Sequence, residues 1–162
     1  MHNLGLLNAL FALLEKEHPA YVESFAQYLS SSRIIGDERI EIIKHGLRAF
    51  KGKEYLASIH ILVFQIEGVL RDLLGKLDLP TFSYRNNEMR ERMLSDILLT
   101  LSQIEGMDKD FLKFTEIYLC DIKGDNYRND IAHGLLTVES FTKENAQLLL
   151  LILIKLGSMS KS

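Results

Sequence analysis

The sequence predicts an all-α fold, and three observations carry that expectation. Apolar residues recur at three- and four-residue steps through almost the whole chain, the pattern of helices that each bury one stripe. Only Pro19 and Pro80 interrupt it. No alternation of apolar and polar residues runs far enough to predict a sheet. At 162 residues a single domain with a real core is expected, with N-terminal helices over 1–52 and a core bundle over 53–157.

Each helix has its own justification. The first, from about Leu4 to Glu17, carries Leu6, Leu7, Leu10, Phe11, Leu13 and Leu14 on a broad apolar face. Pro19 suits the opening turn of a second helix through Val22, Phe25, Tyr28 and Leu29, and the serines at 30–32 make a polar connector. Asp37 is the expected cap of a third helix through Ile40, Ile43, Leu47 and Phe50, closed by Lys51-Gly52. The fourth and longest runs from about Lys53 to Leu77. Its seam is Leu56, Ile59, Val63, Ile66, Leu70, Leu73 and Leu77. Pro80 then forces an extended connection over Leu79–Tyr84. A fifth helix is expected from about Asn87 to Ile104, and a sixth, capped by Asp108, from about Lys109 to Ile122. Thr137 or Ser140 leads into a last helix ending near Gly157. Its run Leu148–Ile154 is apolar all round, so it must lie centrally or be covered by another chain.

Composition narrows the function classes. An apolar content of 47% and a charged content of 25% belong to a folded globular chain. A net charge of −3 rules out a broadly basic nucleic-acid coat, so any RNA contact must come from a local patch. The single Cys120 excludes an internal disulfide and fits a reducing compartment. The longest apolar run is too short to cross a bilayer, and nothing at the start of the chain reads as a leader. The expectation is a cytoplasmic protein that engages no membrane. No Gly-rich phosphate loop, paired-histidine helix or Ser-His-Asp order is present, and neither cofactor nor metal is expected.

Chemistry concentrates in one stretch, Tyr127-Arg128-Asn129-Asp130-Ile131-Ala132-His133-Gly134. Asp125 or Asn126 is available to cap a short helix there, and Gly134 to end it in a left-handed residue. Asn129 and His133, four apart, share a face. Arg128 lies roughly 140° round the helix from His133. One site can therefore use both only if it spans the helix edge or a second chain completes it. The segment beginning Arg85-Asn86-Asn87 starts alike, but Met89 falls near the place of the histidine.

The pattern formed by Arg128, Asn129, His133 and Gly134 resembles the signature of an uncharacterised domain family defined by Arg-Asn-x-x-x-His-Gly, and through it the HEPN superfamily. The resemblance implies a HEPN-like helical bundle over 53–157 and a metal-independent ribonuclease of a defence or toxin type. Two chains would pair so that both motifs line one cleft, and an antitoxin or other protein partner is possible by the same resemblance. His133 would move protons, Arg128 would clamp the phosphate and Asn129 would orient either. Two other classes stay open: a non-catalytic module that binds a nucleotide or a partner protein, and a structural dimerisation domain. Arg128 in a plain salt bridge, Asn129 bonding backbone and His133 capping a carbonyl are the bland readings of the same residues.

Further residues stand in a second rank. Gln65, Glu67, Arg71 and Asp72 share the long helix with His60, and Glu67 to Arg71 is the favourable order for an intrahelical ion pair. The segment Ile66–Arg71 resembles the family helix that precedes the motif, which makes Glu67 and Arg71 second-rank candidate substrate contacts; Tyr127, at the head of the motif stretch, is a third. Tyr84 and the arginines from Arg85 to Arg92 could stack a base or touch a backbone, with a solvated helix face as the plainer reading. His2, His18 and His45 stand isolated.

Overall fold

The computed structural model describes residues 4–85 and 88–159. These are mostly helical: α1 Leu4–Glu17, α2 Tyr21–Ser30, α3 Asp37–Lys51, α4 Tyr55–Lys76, α5 Leu94–Ser102, α6 Lys109–Leu119, α7 Tyr127–Ala132 and α8 Lys143–Ser158. A two-stranded antiparallel hairpin, β1 Phe82–Arg85 and β2 Glu88–Glu91, lies between α4 and α5 in the chain. The helical expectation holds; the absence of a sheet does not. The fifth helix starts seven residues later than expected, at Leu94, and Asn87 lies outside the described residues. Glu88, Met89, Arg90 and Glu91 favour helix intrinsically, so tertiary bonds decide the matter. Arg92 N donates to Thr81 O at 3.0 Å, and Arg71 reaches both strands' ends.

The chain divides into two compact units. One comprises residues 1–66 with 137–162, the other 67–136. In the first, α2 packs on α3, and both α1 and α2 pack on α8. Phe11, Tyr21, Phe25 and Phe50 meet edge to face with centroids 5.6–6.4 Å apart. Leu149, Leu150, Ile152 and Leu153 of α8 are buried within the single chain. The apolar run of the last helix therefore needs no second copy to cover it. Some boundary residues differ from expectation. Gly36, not Asp37, is the N-cap of α3, whereas Lys51-Gly52 closes the helix as expected, followed by a left-handed Lys53. Thr142 caps α8 by accepting from Asn145 N at 3.2 Å.

In the second unit, α5 packs on α6 and α6 on α7. Leu70, Leu74, Ile97, Leu98, Leu101, Leu112 and Leu119 are buried in its core. The seam of α4 is buried from Ile59 to Leu73, while its ends Leu56 and Leu77 are exposed. No helix among the described residues is long and apolar enough to cross a membrane.

Candidate functional site

The motif helix is fixed at both ends by local chemistry. Asp108 caps α6 by accepting from Phe111 N at 3.0 Å. The chain leaving α6 folds back, with Asp125 N donating to Ile117 O at 3.1 Å and Gly124 N to Asp121 O at 2.8 Å. A Cβ at Gly124 would collide with the Ile117 carbonyl, so only glycine allows this close return. Asn126 precedes α7 with φ 50°, a left-handed conformation that asparagine tolerates, and its side chain makes no capping bond. Gly134, at φ 66°, ends the helix as expected. Gly134 N donates to Ile131 O and Leu135 N to Asp130 O, the paired bonds of a Schellman end.

One face of α7 is core. Tyr127 and Ile131 are buried, and the Tyr127 ring stacks on Tyr118 at 5.5 Å. Burial pushes the Tyr118 hydroxyl far above its ordinary range, with Tyr127 and Asp125 adding to the effect. Tyr127 thus supports the motif from beneath and does not line the hollow described below.

The polar side of the turn is a connected network. Arg128 Nη1 donates to Asn129 Oδ1 at 3.1 Å, Asn129 Nδ2 to Asn126 Oδ1 at 2.8 Å, and Asn126 Nδ2 to Asp130 Oδ1 at 2.8 Å. Asp130 is therefore engaged by Asn126. On its other side Arg128 Nη2 lies 2.6 Å from Glu67 Oε2. The second oxygen of Glu67 accepts from Arg71 Nη2 at 3.0 Å, so one carboxylate holds two guanidiniums. Arg71 also lies 3.5 Å from Glu91 and donates to Arg92 O and Thr81 O.

These groups rim a hollow of about 240 Å³ lined by Glu67, Arg71, Glu91, Arg92, Arg128 and Asn129, with Cys120 in its wall. Among the described residues Arg92 bonds neutral oxygens, Pro80 O at 3.2 Å and Thr100 Oγ1 at 2.7 Å. Three guanidiniums against two carboxylates leave the hollow with one net positive charge. Burial, reinforced by Glu116 and opposed by Arg128, pushes the Cys120 thiol up to about 11, so it is protonated at neutral pH.

The fold thus brings together Arg128, Asn129, Glu67 and Arg71. His133 is not among the residues lining the hollow. It follows α7 as its C-cap, exposed, with no side-chain hydrogen bond or ion pair among the described residues. His60 and Gln65 are engaged elsewhere. His60 Nδ1 lies 2.8 Å from Leu56 O and its ring stacks on Phe141, while Gln65 accepts from Arg39. Glu91 and Asn126 were not expected at the site, and Arg92 only as a possible backbone contact on a helix face apart from the motif. Arg92 and Glu91 enter through the hairpin, whose pairing no helical periodicity could reveal. Among the described residues no His, Cys, Asp or Glu cluster could hold a metal ion.

Comparison with family models, with curated proteins and with solved structures gives no match.

Proposed function

We propose that the Arg128–His133 turn belongs to a HEPN-like, metal-independent ribonuclease of a defence or toxin type, acting as a cytoplasmic homodimer. The observation that carries this reading is the pairing of an exposed imidazole, unengaged among the described residues, with a net positive, arginine-lined hollow at the other end of one short helix. The RNA 2′-oxygen forms a bond to its own phosphorus while the bond from phosphorus to the 5′-oxygen breaks, leaving a cyclic phosphate and a free 5′-hydroxyl. One imidazole takes the 2′-hydroxyl proton and another, protonated, gives one to the leaving oxygen. A single His133 cannot conveniently do both. A second copy, bringing its own His133 across a two-fold axis, supplies the partner. Arg128 steadies the crowded phosphate oxygens, and Asn129 holds Arg128 in place.

The dimer rests on this chemistry and not on α8, which its own chain encloses. A second reading is a non-catalytic module for a nucleotide or a protein partner, and it draws on the Glu67–Arg128 ion pair at 2.6 Å. There the carboxylate already occupies the phosphate's place.

The test is cleavage of end-labelled RNA in chelator, with light scattering on the same samples. His133→Ala and Arg128→Ala are expected to fold and dimerise but lose at least ~100-fold in rate, while EDTA leaves the wild type unchanged. A monomer at tens of micromolar, or cleavage that survives His133→Ala, overturns the paired-histidine mechanism.

A further inference from the structure

The hairpin places a row of large apolar side chains in water. Its register pairs Phe82 with Glu91 and Tyr84 with Met89. Alternation along each strand sets Phe82, Tyr84 and Met89 on one side of the ribbon, with the Glu91 carboxylate beside them at its base, opposite Phe82. Phe82, Tyr84 and Met89 are 47%, 78% and 62% exposed. A four-residue strand gains little by burying nothing on that side, so the fold itself does not explain these residues.

The ribbon springs from the rim of the hollow. Arg71 donates to Thr81 O and Arg92 O, one at the base of each strand, and Arg92 Nη1 donates to Pro80 O. Glu91, the last residue of β2, and Arg92 both line the hollow. The three steps from Met89 to Arg92 span ~10 Å of extended chain, so this side of the ribbon begins within reach of whatever binds at Arg92. Among the described residues the Arg92 guanidinium is met by neutral oxygens, Pro80 O and Thr100 Oγ1.

Resting on the RNA reading above, we propose that this hairpin is a base-stacking platform for single-stranded RNA, with Tyr84 as its principal surface and the arginine hollow holding an adjacent phosphate. Aromatic faces stack on any unpaired base, and the local positive charge suits a phosphodiester although the whole chain is acidic. A duplex hides its base faces and offers Tyr84 nothing to stack on.

The experiment measures binding of a fluorescent single-stranded oligoribonucleotide of roughly ten bases, and of the same sequence as duplex, in a His133→Ala background that leaves the RNA intact. Tyr84→Ala is expected to weaken single-strand binding by on the order of 10-fold, Tyr84→Phe to retain it, and duplex binding to stay unchanged in both. Equal losses on single strand and duplex overturn the platform, as does no loss at all. If Tyr84→Ala instead dissociates a dimer, the ribbon is an interface between copies and the proposal falls. RNA held through Tyr84 but never cleaved by the wild type sustains the platform and removes the nuclease. A wild type that binds no RNA removes both.

Discussion

Cys120 sits in the wall of the hollow with its thiol held up to about 11, and this sets its reactivity. At pH 8 the folded protein should carry on the order of a hundredfold fewer thiolates at this position than the unfolded chain, where the thiol titrates near its ordinary value. Iodoacetamide is expected to label Cys120 slowly in the native state and quickly in denaturant; equal rates would show that the thiol is not shielded. The sign for stability follows. The folded state holds this proton more tightly, so stability is undiminished below about 9 and falls as pH climbs toward about 11. Cys120→Ser removes that component. At the same scale Arg128 with Asn129, and Glu67 with Arg71, were legible as two separate pairs, because helical spacing and ion-pair order are local properties; their meeting is a tertiary contact that spacing does not report. The role of Asn126 was not legible. Its side chain leaves the cap position empty and bridges Asn129 to Asp130, a choice made by the left-handed backbone at φ 50°.

Among the elements, α4 was the most readable and the hairpin the least. Seven seam positions were expected on α4, and the five from Ile59 to Leu73 are buried while Leu56 and Leu77 at its ends are not. Periodicity reports which side faces inward but not where neighbouring elements stop covering it. Leu70→Ala, at a fully buried position, is therefore expected to cost roughly 2–5 kcal/mol in denaturant titration, whereas Leu56→Ala should cost under about 0.5 kcal/mol. Similar losses at the two positions would mean that the seam is misplaced. β2 escaped because its residues are good helix formers individually. Phe82-Ser83-Tyr84-Arg85 does alternate, but four residues are too few to outweigh a helical pattern in the same window. The alternation became meaningful only with Arg71 tying the two strands together at the base of the ribbon.

For the molecule as a whole, periodicity anticipated a mostly helical chain but not its division into units, since contacts between distant segments leave no trace in local spacing. The net charge of −3 hides a local positive balance that exists only once Arg71, Arg92 and Arg128 converge. Glu67 then gives the site an unusual relation to salt. Nucleic acid sheds condensed cations when protein charges replace them, and each such exchange steepens the fall of affinity with ionic strength. A phosphate that draws Arg71 or Arg128 away from Glu67 frees a carboxylate, which recaptures a cation from solution. Part of the gain from ion release is thus returned. RNA binding by the wild type should depend shallowly on salt, and Glu67→Gln should steepen the logarithmic slope by about 0.7. An unchanged slope would mean that the arginines do not exchange one anion for another. By that exchange Glu67 acts as a resident counterion that keeps the site responsive at ionic strengths where an open cationic pocket would already be screened.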